Sequence, residues 1–303
     1  MMIQRGARWL STALLALALL PCHAGITRYC DAPATLSPAQ QDRVFRFGAV
    51  IKQELEASGG RLALIARSGL DLGRFGVRYS HAGITLQRSA ETPWSVRQLY
   101  YACDEDRPRI FDQGISAFLL GNDTPDLGFV SVVLLPPEAA QDLERVALDN
   151  RLALALLGPT YSANAYPFSA RYQNCNQWVA EMLAAAWGGL PGDEDARVQA
   201  QGWLRAQGYE PSVFDVGWRV LMWVSELIPW VHSDDHPPQD TASKLYRVSM
   251  PASIEAFAQA RVAGATRMEF CHTATHVVVH QGWDAIGAGC EAGPLDRVIA
   301  LNP

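Results

Sequence analysis

A polar run that ends in Asn174-Cys175 leads directly into an alanine-rich segment, and this junction constrains the fold more than any other stretch. Apolar side chains recur after it at helical spacing, at Trp178, Val179 and Met182, which predicts a helix with one buried face. Asn174 is a favoured N-cap residue, so Cys175 falls in the first turn. A helix N-terminus favours a thiolate over a thiol. Two interpretations stay open: a sulfur nucleophile, or a small buried cysteine.

A histidine-bearing strand is predicted far upstream, at residues 78–86. Alternation places Tyr79, His81 and Gly83 on one face, and Gly83 would let a helix approach that face closely. A cysteine at a helix start opposite a histidine on a strand is the arrangement of thiol hydrolases. There the imidazole takes the thiol proton and the thiolate attacks a carbonyl carbon. The alternative interpretation of His81 is a structural histidine.

Together the two motifs resemble a known superfamily. The pattern Tyr-x-His-x-x-Ile at residues 79–84 and the pattern Asn-Cys-x-x-Trp-Val at residues 174–179 are similar to those of the circularly permuted branch of the NlpC-type papain-like thiol hydrolases. This branch includes the lecithin retinol acyltransferase-like proteins. Unpermuted members have the cysteine helix first, whereas here the histidine strand comes first. The resemblance covers about residues 60–190, and it extends to a secreted proteobacterial group of unknown function.

The resemblance implies an α+β, papain-like fold in which an antiparallel sheet packs on the Cys-bearing helix. It implies Cys175 as nucleophile, His81 as general base and Gln98 as the residue that orients the imidazole. Relatives often show Trp-x-Val-x-His-Leu where this chain has residues 94–99, so Gln98 departs from the pattern. A glutamine oxygen can hold the imidazole N–H but cannot stabilise an imidazolium as a carboxylate would. The alternative for Gln98 is an ordinary polar strand residue.

Three further residues complete the expected site on its oxyanion and substrate side. Tyr79 stands where relatives place a tyrosine near the oxyanion, and Asn174 adjoins the nucleophile. Tyr166 belongs to an aromatic loop that leads into the cysteine helix and could line a substrate cleft. Each also has a structural interpretation, as a packed strand aromatic, a helix cap and a loop contact respectively.

The first 24 residues predict a cleavable signal peptide. Arg5 and Arg8 form a basic segment, and the apolar stretch 10–20 is too short to span a membrane. Cleavage is predicted after Ala24. Cys22 raises a lipoprotein alternative, against which the preceding proline argues. We therefore expect a periplasmic or secreted protein.

Five cysteines follow the predicted cleavage site, and an odd number in an oxidising compartment implies one free thiol. If Cys175 is that thiol, the other four form two disulfide bonds. Pairing Cys271 with Cys290 and Cys30 with Cys103 is one of three possible connectivities, and the sequence does not decide among them.

The composition favours a globular chain with a large core, since 49% of the residues are hydrophobic and 18% are charged. The net charge of −6 argues against a nucleic-acid partner. It also gives no electrostatic reason to bind an anionic membrane. A peptide or lipid acyl substrate is the expected partner.

We expect the papain-like core, with an N-terminal helix, at residues 25–190, and a C-terminal extension packed on it at residues 191–303. The apolar stretch 213–231 is expected to cover the core, and contact with a membrane interface is the alternative. Neither a cofactor nor a metal site is expected. His276 and His280 lie on a predicted strand, roughly 13 Å apart at about 3.3 Å per residue, which is too far for one ion.

Outside the motifs, the pattern predicts a helix from Pro38 to Gly59-Gly60 and another at residues 138–157. Strands are predicted at residues 61–67 and 128–135, and the apolar run at residues 115–120 is also expected to be β-rich.

These observations predict an exported cysteine hydrolase, of amidase or peptidase type, that acts through a thioester. Cell-wall peptides are the expected substrate. Two alternatives stay open. One is a lipid acyl hydrolase or acyltransferase on the same cysteine–histidine site, and the other is a non-catalytic binding module on the papain-like scaffold.

Overall fold

The structure is a computed structural model that describes residues 36–121, 124–217 and 228–301. The predicted signal peptide, Cys30 and residues 218–227 of the apolar stretch lie outside these ranges. The helices in them are α1 Pro38–Ala57, α2 Ile115–Leu119, α3 Pro137–Leu148, α4 Asn150–Ala155, α5 Cys175–Gly188, α6 Ala196–Ala206, α7 Pro238–Ala242 and α8 Pro251–Arg261. The strands are β1 Leu62–Arg67, β2 His81–Leu86, β3 Ser95–Ala102, β4 Arg107–Gln113, β5 Gly128–Leu134, β6 Ser212–Asp215, β7 Leu245–Val248, β8 Thr266–His272, β9 His276–Gln281 and β10 Arg297–Ala300.

Eight of the described strands form one sheet in the order β10-β9-β8-β5-β1-β2-β3-β4, and β6 pairs with β7 separately. The pairings within both sheets are antiparallel. The two central strands β1 and β5 are buried along almost their whole length, which explains their continuous apolar sequences. The architecture is α+β, as the sequence predicts.

Helix α1 begins as predicted, because Ser37 caps it. The Ser37 hydroxyl accepts the Gln40 N–H while the Gln40 side chain accepts the Ser37 N–H, and Pro38 fills the first helical position. Apolar residues of α1 and α2 pack with apolar side chains of β1, β3, β5, β8 and β9 into one large core cluster.

The predicted β-rich segment at residues 115–120 is wrong, because Ile115–Leu119 forms a helix. The spacing of Ile115, Phe118 and Leu119 by three and four residues turns all three into the core. A short apolar run fits a buried strand as well as a buried helix, so its hydrophobicity alone could not separate the two.

The C-terminal residues complete the main sheet. Strand β8 pairs with the central strand β5 along its length, and β9 and β10 follow outward from it. Three strands from the part of the chain after residue 190 therefore lie in the same sheet as β1, β2 and β3.

Two disulfide-bonded regions are described. Cys271 on β8 is bonded to Cys290, which confirms that predicted pair. Cys103 is also disulfide-bonded, whereas the Cys30 end of the other predicted bridge lies outside the described residues. Cys175 is a free cysteine, as expected.

No helix within the described ranges is long and apolar enough to span a membrane. In the apolar stretch 213–231, the first residues belong to β6 and Trp230 is buried. His276 and His280 lie on strand β9, as predicted. No metal-binding group of three or more side chains occurs in the part of the chain that the structure describes.

Candidate functional site

Cys175 is the first residue of helix α5, where the sequence predicts it. The Asn174 side chain caps the helix by accepting the Gln177 N–H over 2.7 Å. Every residue of α5 from Cys175 to Ala186 is buried, so the helix is covered on all sides rather than on the one face that the sequence predicts. Its N-terminal end therefore lies in the interior. Cys175 as a whole is 8% exposed.

His81 and Gln98 form the pair that the sequence predicts. The His81 Nε2 atom lies 2.6 Å from the Gln98 Oε1 atom, and both residues are buried. A carbonyl oxygen can only accept, so Nε2 carries the proton and the unprotonated Nδ1 atom of neutral His81 is left to act as a base.

Gly83, on the same face of β2 as His81, packs tightly against strand β3. A Cβ atom at Gly83 would lie 2.5 Å from Val96 Cγ1 and 3.4 Å from Gln98 Cβ. The glycine therefore makes room for side chains of the neighbouring strand β3. The atoms nearest to Gly83 thus belong to β3, whereas the sequence leads us to expect a helix at this glycine.

Asn176 joins the start of α5 to the histidine strand. Its Oδ1 atom accepts the Ala82 N–H over 2.9 Å, and its Nδ2 atom donates to the Ser80 carbonyl over 3.1 Å. Strand β3 pairs with β2 only from Ile84 onward, so the asparagine amide takes the place of a strand at this point. The residue after Cys175 thus binds the backbone on both sides of His81.

Aromatic rings enclose the two reactive groups. The His81 ring stacks on Tyr100 at 5.0 Å between centroids and lies 5.8 Å from Phe118. Tyr161 contributes a side-chain hydrogen bond to Cys175, and its ring stacks on Tyr101 at 5.1 Å. The site is therefore a largely apolar enclosure around a thiol and an imidazole.

Arg67 supplies a positive charge to this enclosure. It is the last residue of β1 and lies directly opposite His81 in the register. The guanidinium is near enough to lower the pKa of both Cys175 and His81. Like charge disfavours an imidazolium, and opposite charge favours a thiolate.

Burial keeps both reactive groups neutral in the resting protein. Burial raises the pKa of the Cys175 thiol to about 12, against smaller lowering effects of Arg67, of the N–H groups of Asn176 and Cys175, and of Tyr161. Burial also lowers the pKa of His81 to about 3, assisted by Arg67 and opposed by the Gln98 hydrogen bond. Among the contacts of the described residues there is no hydrogen bond between Cys175 and His81. The resting pair is a thiol and a neutral imidazole.

The other predicted site residues lie in structural contacts. The Tyr79 hydroxyl donates to Glu269, and burial, together with that carboxylate, raises its pKa well above the ordinary value. Asn174 acts as the helix cap and donates to the carbonyl groups of Ala163 and Ser249. The hydroxyl of Tyr79, which the resemblance places near the oxyanion, therefore binds a buried carboxylate.

Tyr166 lies in a second polar cluster. Its N–H donates to Asp235 over 2.8 Å, and its ring lies 5.5 Å from the His236 ring. The described contacts of Tyr166 do not include Cys175 or His81. Tyr161, from the same loop, is the tyrosine that reaches the sulfur.

The sequence alone does not identify Asn176 or Arg67 as site residues. Asn176 follows Cys175 directly, but an exposed amide in a first helical turn has the same sequence pattern. Arg67 gave a stronger signal, since it ends an otherwise apolar strand. A charge in a strand buried on both faces is costly and calls for an explanation.

The comparisons with known proteins identify one family. A profile described as "Uncharacterized protein conserved in bacteria (DUF2145)" matches residues 54–258, more than half of the chain. The match includes His81, Gln98 and Cys175. No curated protein and no solved structure matches the chain.

Proposed function

We propose that this chain, which belongs to the bacterial DUF2145 family, is an exported cysteine hydrolase that forms a thioester on Cys175. One observation carries the proposal. Asn176, the residue after the free cysteine, hydrogen-bonds to the backbone on both sides of His81. The Gln98 side chain accepts a hydrogen bond from Nε2 of the same histidine. Such a thiol, base and orienting group are the parts that nucleophilic catalysis requires.

The proposed reaction begins from the neutral pair. As Sγ of Cys175 attacks the substrate carbonyl carbon, Nδ1 of His81 takes the thiol proton and the carbonyl oxygen becomes an oxyanion. The N–H groups at the start of α5 face this charge. The C–N bond then breaks, and the imidazolium returns the proton to the leaving amine. Water attacks the thioester with His81 again as base, which releases the acid and restores the thiol.

Gln98 suits a cycle in which the imidazolium is short-lived. Its carbonyl fixes the ring and the tautomer but adds no negative charge that would hold a proton on His81. The low pKa of the buried imidazole has the same effect. The proton is therefore passed on quickly to the leaving group.

The finer fold assignment belongs to this proposal. We infer a permuted NlpC-type papain-like core, since a histidine strand and a glutamine strand precede the cysteine helix, and α5 packs against both strands. The strands β8 to β10 then extend the sheet on the side away from β2 and β3.

The proposed export and substrate class rest on the disulfide bond and the predicted signal peptide. The Cys271–Cys290 disulfide supports an oxidising compartment, in agreement with the predicted signal peptide. In a bacterial periplasm or outside the cell, peptide amides of the cell wall are the substrates that such a thiol would meet. The aromatic side chains around Cys175 offer apolar contacts to the acyl part of a substrate.

A second function is supported by the closed state of the site. Cys175 and His81 are each 8% exposed, and no hydrogen bond joins them in the described part of the chain. A non-catalytic binding module on the same scaffold would have these properties. It predicts ligand binding that does not depend on the thiol.

The test uses the mature protein with a panel of cell-wall peptides and lipid esters, and mass spectrometry of the products. We expect an amide to be cleaved by the wild type, and Cys175→Ala and His81→Ala to lose turnover. The control His276→Ala, on the half-buried β9 histidine, should keep it. Cleavage of esters alone would reassign the substrate to lipids. Binding that survives Cys175→Ala, with no product from the wild type, would favour the binding module.

A further inference from the structure

We propose that Arg67 is the counter-charge of the site, stabilising the negative charge that forms on Cys175 and opposing a lasting positive charge on His81. This inference deepens the proposed function and rests on the Cys175 chemistry given there. It assigns a role to a buried arginine that the reaction scheme above does not use.

The position of Arg67 is fixed by the main sheet. It pairs with His81 across the β1–β2 ladder, and directly opposite residues of an antiparallel pair point to the same face. The guanidinium carbon lies 5.3 Å from the centre of the Phe118 ring, which also borders His81. Arg67 is only 5% exposed.

Two glycines and two carbonyl groups cradle the guanidinium. The Nη1 atom donates to the carbonyl of Gly121 and, over 3.3 Å, to that of Ser68. A Cβ atom at Gly69 would lie 2.7 Å from Nη1, and one at Gly121 would collide with the guanidinium itself. The absence of side chains at both positions is therefore necessary to seat Arg67 where it is.

The charge in this cradle is not neutralised. Within the described ranges no carboxylate forms an ion pair with Arg67, and its Nε atom has no hydrogen-bond partner. By contrast the buried Arg197 pairs with Glu181, and Arg267 pairs with Glu255 and Glu269. A buried charge without a partner is unfavourable, so negative charge that arises nearby is strongly favoured.

The groups that face Arg67 show where that negative charge can arise. Strand β2 presents His81, and β3 presents Tyr100, whose hydroxyl lies 3.4 Å from Nη2. Helix α5 presents Cys175, and the loop before it presents Tyr161 to the sulfur. Of these groups the thiol has the lowest ordinary pKa that yields an anion. After burial, Arg67 is the largest influence on the pKa of Cys175, and likewise on that of His81.

The experiment reads the ionisation of Cys175 without any substrate. Ultraviolet thiolate absorbance is measured at one alkaline pH for the wild type, Arg67→Met and Arg67→Lys. A Cys175→Ser version of each is subtracted to remove the tyrosine signal. Loss of the charge in Arg67→Met should lower the thiolate fraction about tenfold, which is one unit of pKa, whereas Arg67→Lys should change it less. NMR titration should show the pKa of His81 rising in Arg67→Met.

The direction of the Cys175 shift separates charge from packing. If Arg67 only supported the structure, its loss would hydrate the site and lower the pKa of Cys175 toward its ordinary value. Gly121→Ala adds a second variant, since it displaces the guanidinium but keeps its charge, and it should act in the same direction as Arg67→Met. An unchanged or lower Cys175 pKa in a folded Arg67→Met protein would overturn the proposal. If the pKa of Cys175 depends on Arg67 but the protein shows no turnover, the proposed hydrolase activity is contradicted and the proposal for Arg67 stands.

Discussion

Arg67 and Arg267 are both buried on strands of the same sheet, yet only Arg267 is surrounded by carboxylates. Its Nε atom donates to Glu255 over 3.1 Å and to Ser131 over 2.8 Å, and its Nη2 atom lies 3.4 Å from Glu269. Glu269 in turn accepts from Arg78 over 2.8 Å and from the Ile286 N–H over 2.7 Å. Every charge in this region has a partner.

The site around Arg67 has the opposite character. The Nε atom of Arg67 and the Nε2 atom of Gln98 are buried without a hydrogen-bond partner in the part of the chain described. Arg67 also forms no ion pair with a carboxylate of the described residues. A structural polar network gains nothing from such gaps, because each unpaired group costs free energy. The carboxylate network around Arg267 thus joins neighbouring elements, whereas the unpaired groups around Arg67 are what the proposed counter-charge role requires.

The largest expected effect is on stability and sharpens this contrast. Arg267→Met leaves two buried glutamates short of their cation, so we expect a loss of about 3–5 kcal/mol in the free energy of unfolding. Arg67→Met removes an unpaired charge and its hydrogen bonds, so the free energy of unfolding should fall by less than about 2 kcal/mol. Urea unfolding measures both.

Arg88→Met is the matched control, since Arg88 is exposed and its loss should change stability by less than about 0.5 kcal/mol. Equal losses for Arg67→Met and Arg267→Met would erase the contrast between the two regions.

The next effect is on the pH dependence of stability. The folded protein lowers the pKa of His81 from 6.5 to about 3, mainly by burial and then through Arg67. Between pH 6.5 and pH 3, His81 is protonated in the unfolded chain but neutral in the folded chain. Stability therefore falls as the pH drops from 6.5, by up to about 1.4 kcal/mol per pH unit from this group. Above pH 6.5 this contribution is constant.

His81→Gln should flatten this fall, although the buried His236 and His272, whose pKa values burial also lowers, keep part of it. Arg67→Met should flatten it in part, because the pKa of His81 rises without the guanidinium. Urea unfolding at a series of pH values from about 7 to about 4 checks both. The same pH slope in wild type and His81→Gln would show that His81 takes up its proton equally in both states.

The local parts of the site could be predicted because they depend on short-range pattern. Asn174 before an apolar helical repeat fixed Cys175 in a first turn, and alternation fixed His81 on a strand. The Gln98 pairing was reached only through the family resemblance. Helix α1 was predictable from Ser37 and Pro38 for the same local reason.

The remaining parts depend on tertiary contacts that no local pattern encodes. Pairing of β8 with β5 joins residues more than a hundred positions apart. The sequence therefore predicts only an extension after residue 190, whereas the structure continues the main sheet there. The resemblance places Tyr79 near the oxyanion, but its hydroxyl donates to Glu269 on that distant strand. The cradle of Arg67 likewise requires Gly121, which is distant in sequence.

The measurement that tests the central claim most directly is the mass of the intact protein after exposure to an activated acyl ester. We expect one acyl group on Cys175 in the wild type, none there in Cys175→Ser, and a rate lower by at least about a hundredfold in His81→Ala. His276→Ala should react like the wild type. An acyl group that forms on Cys175 equally fast without His81, or a wild type that is never acylated there, would contradict the account.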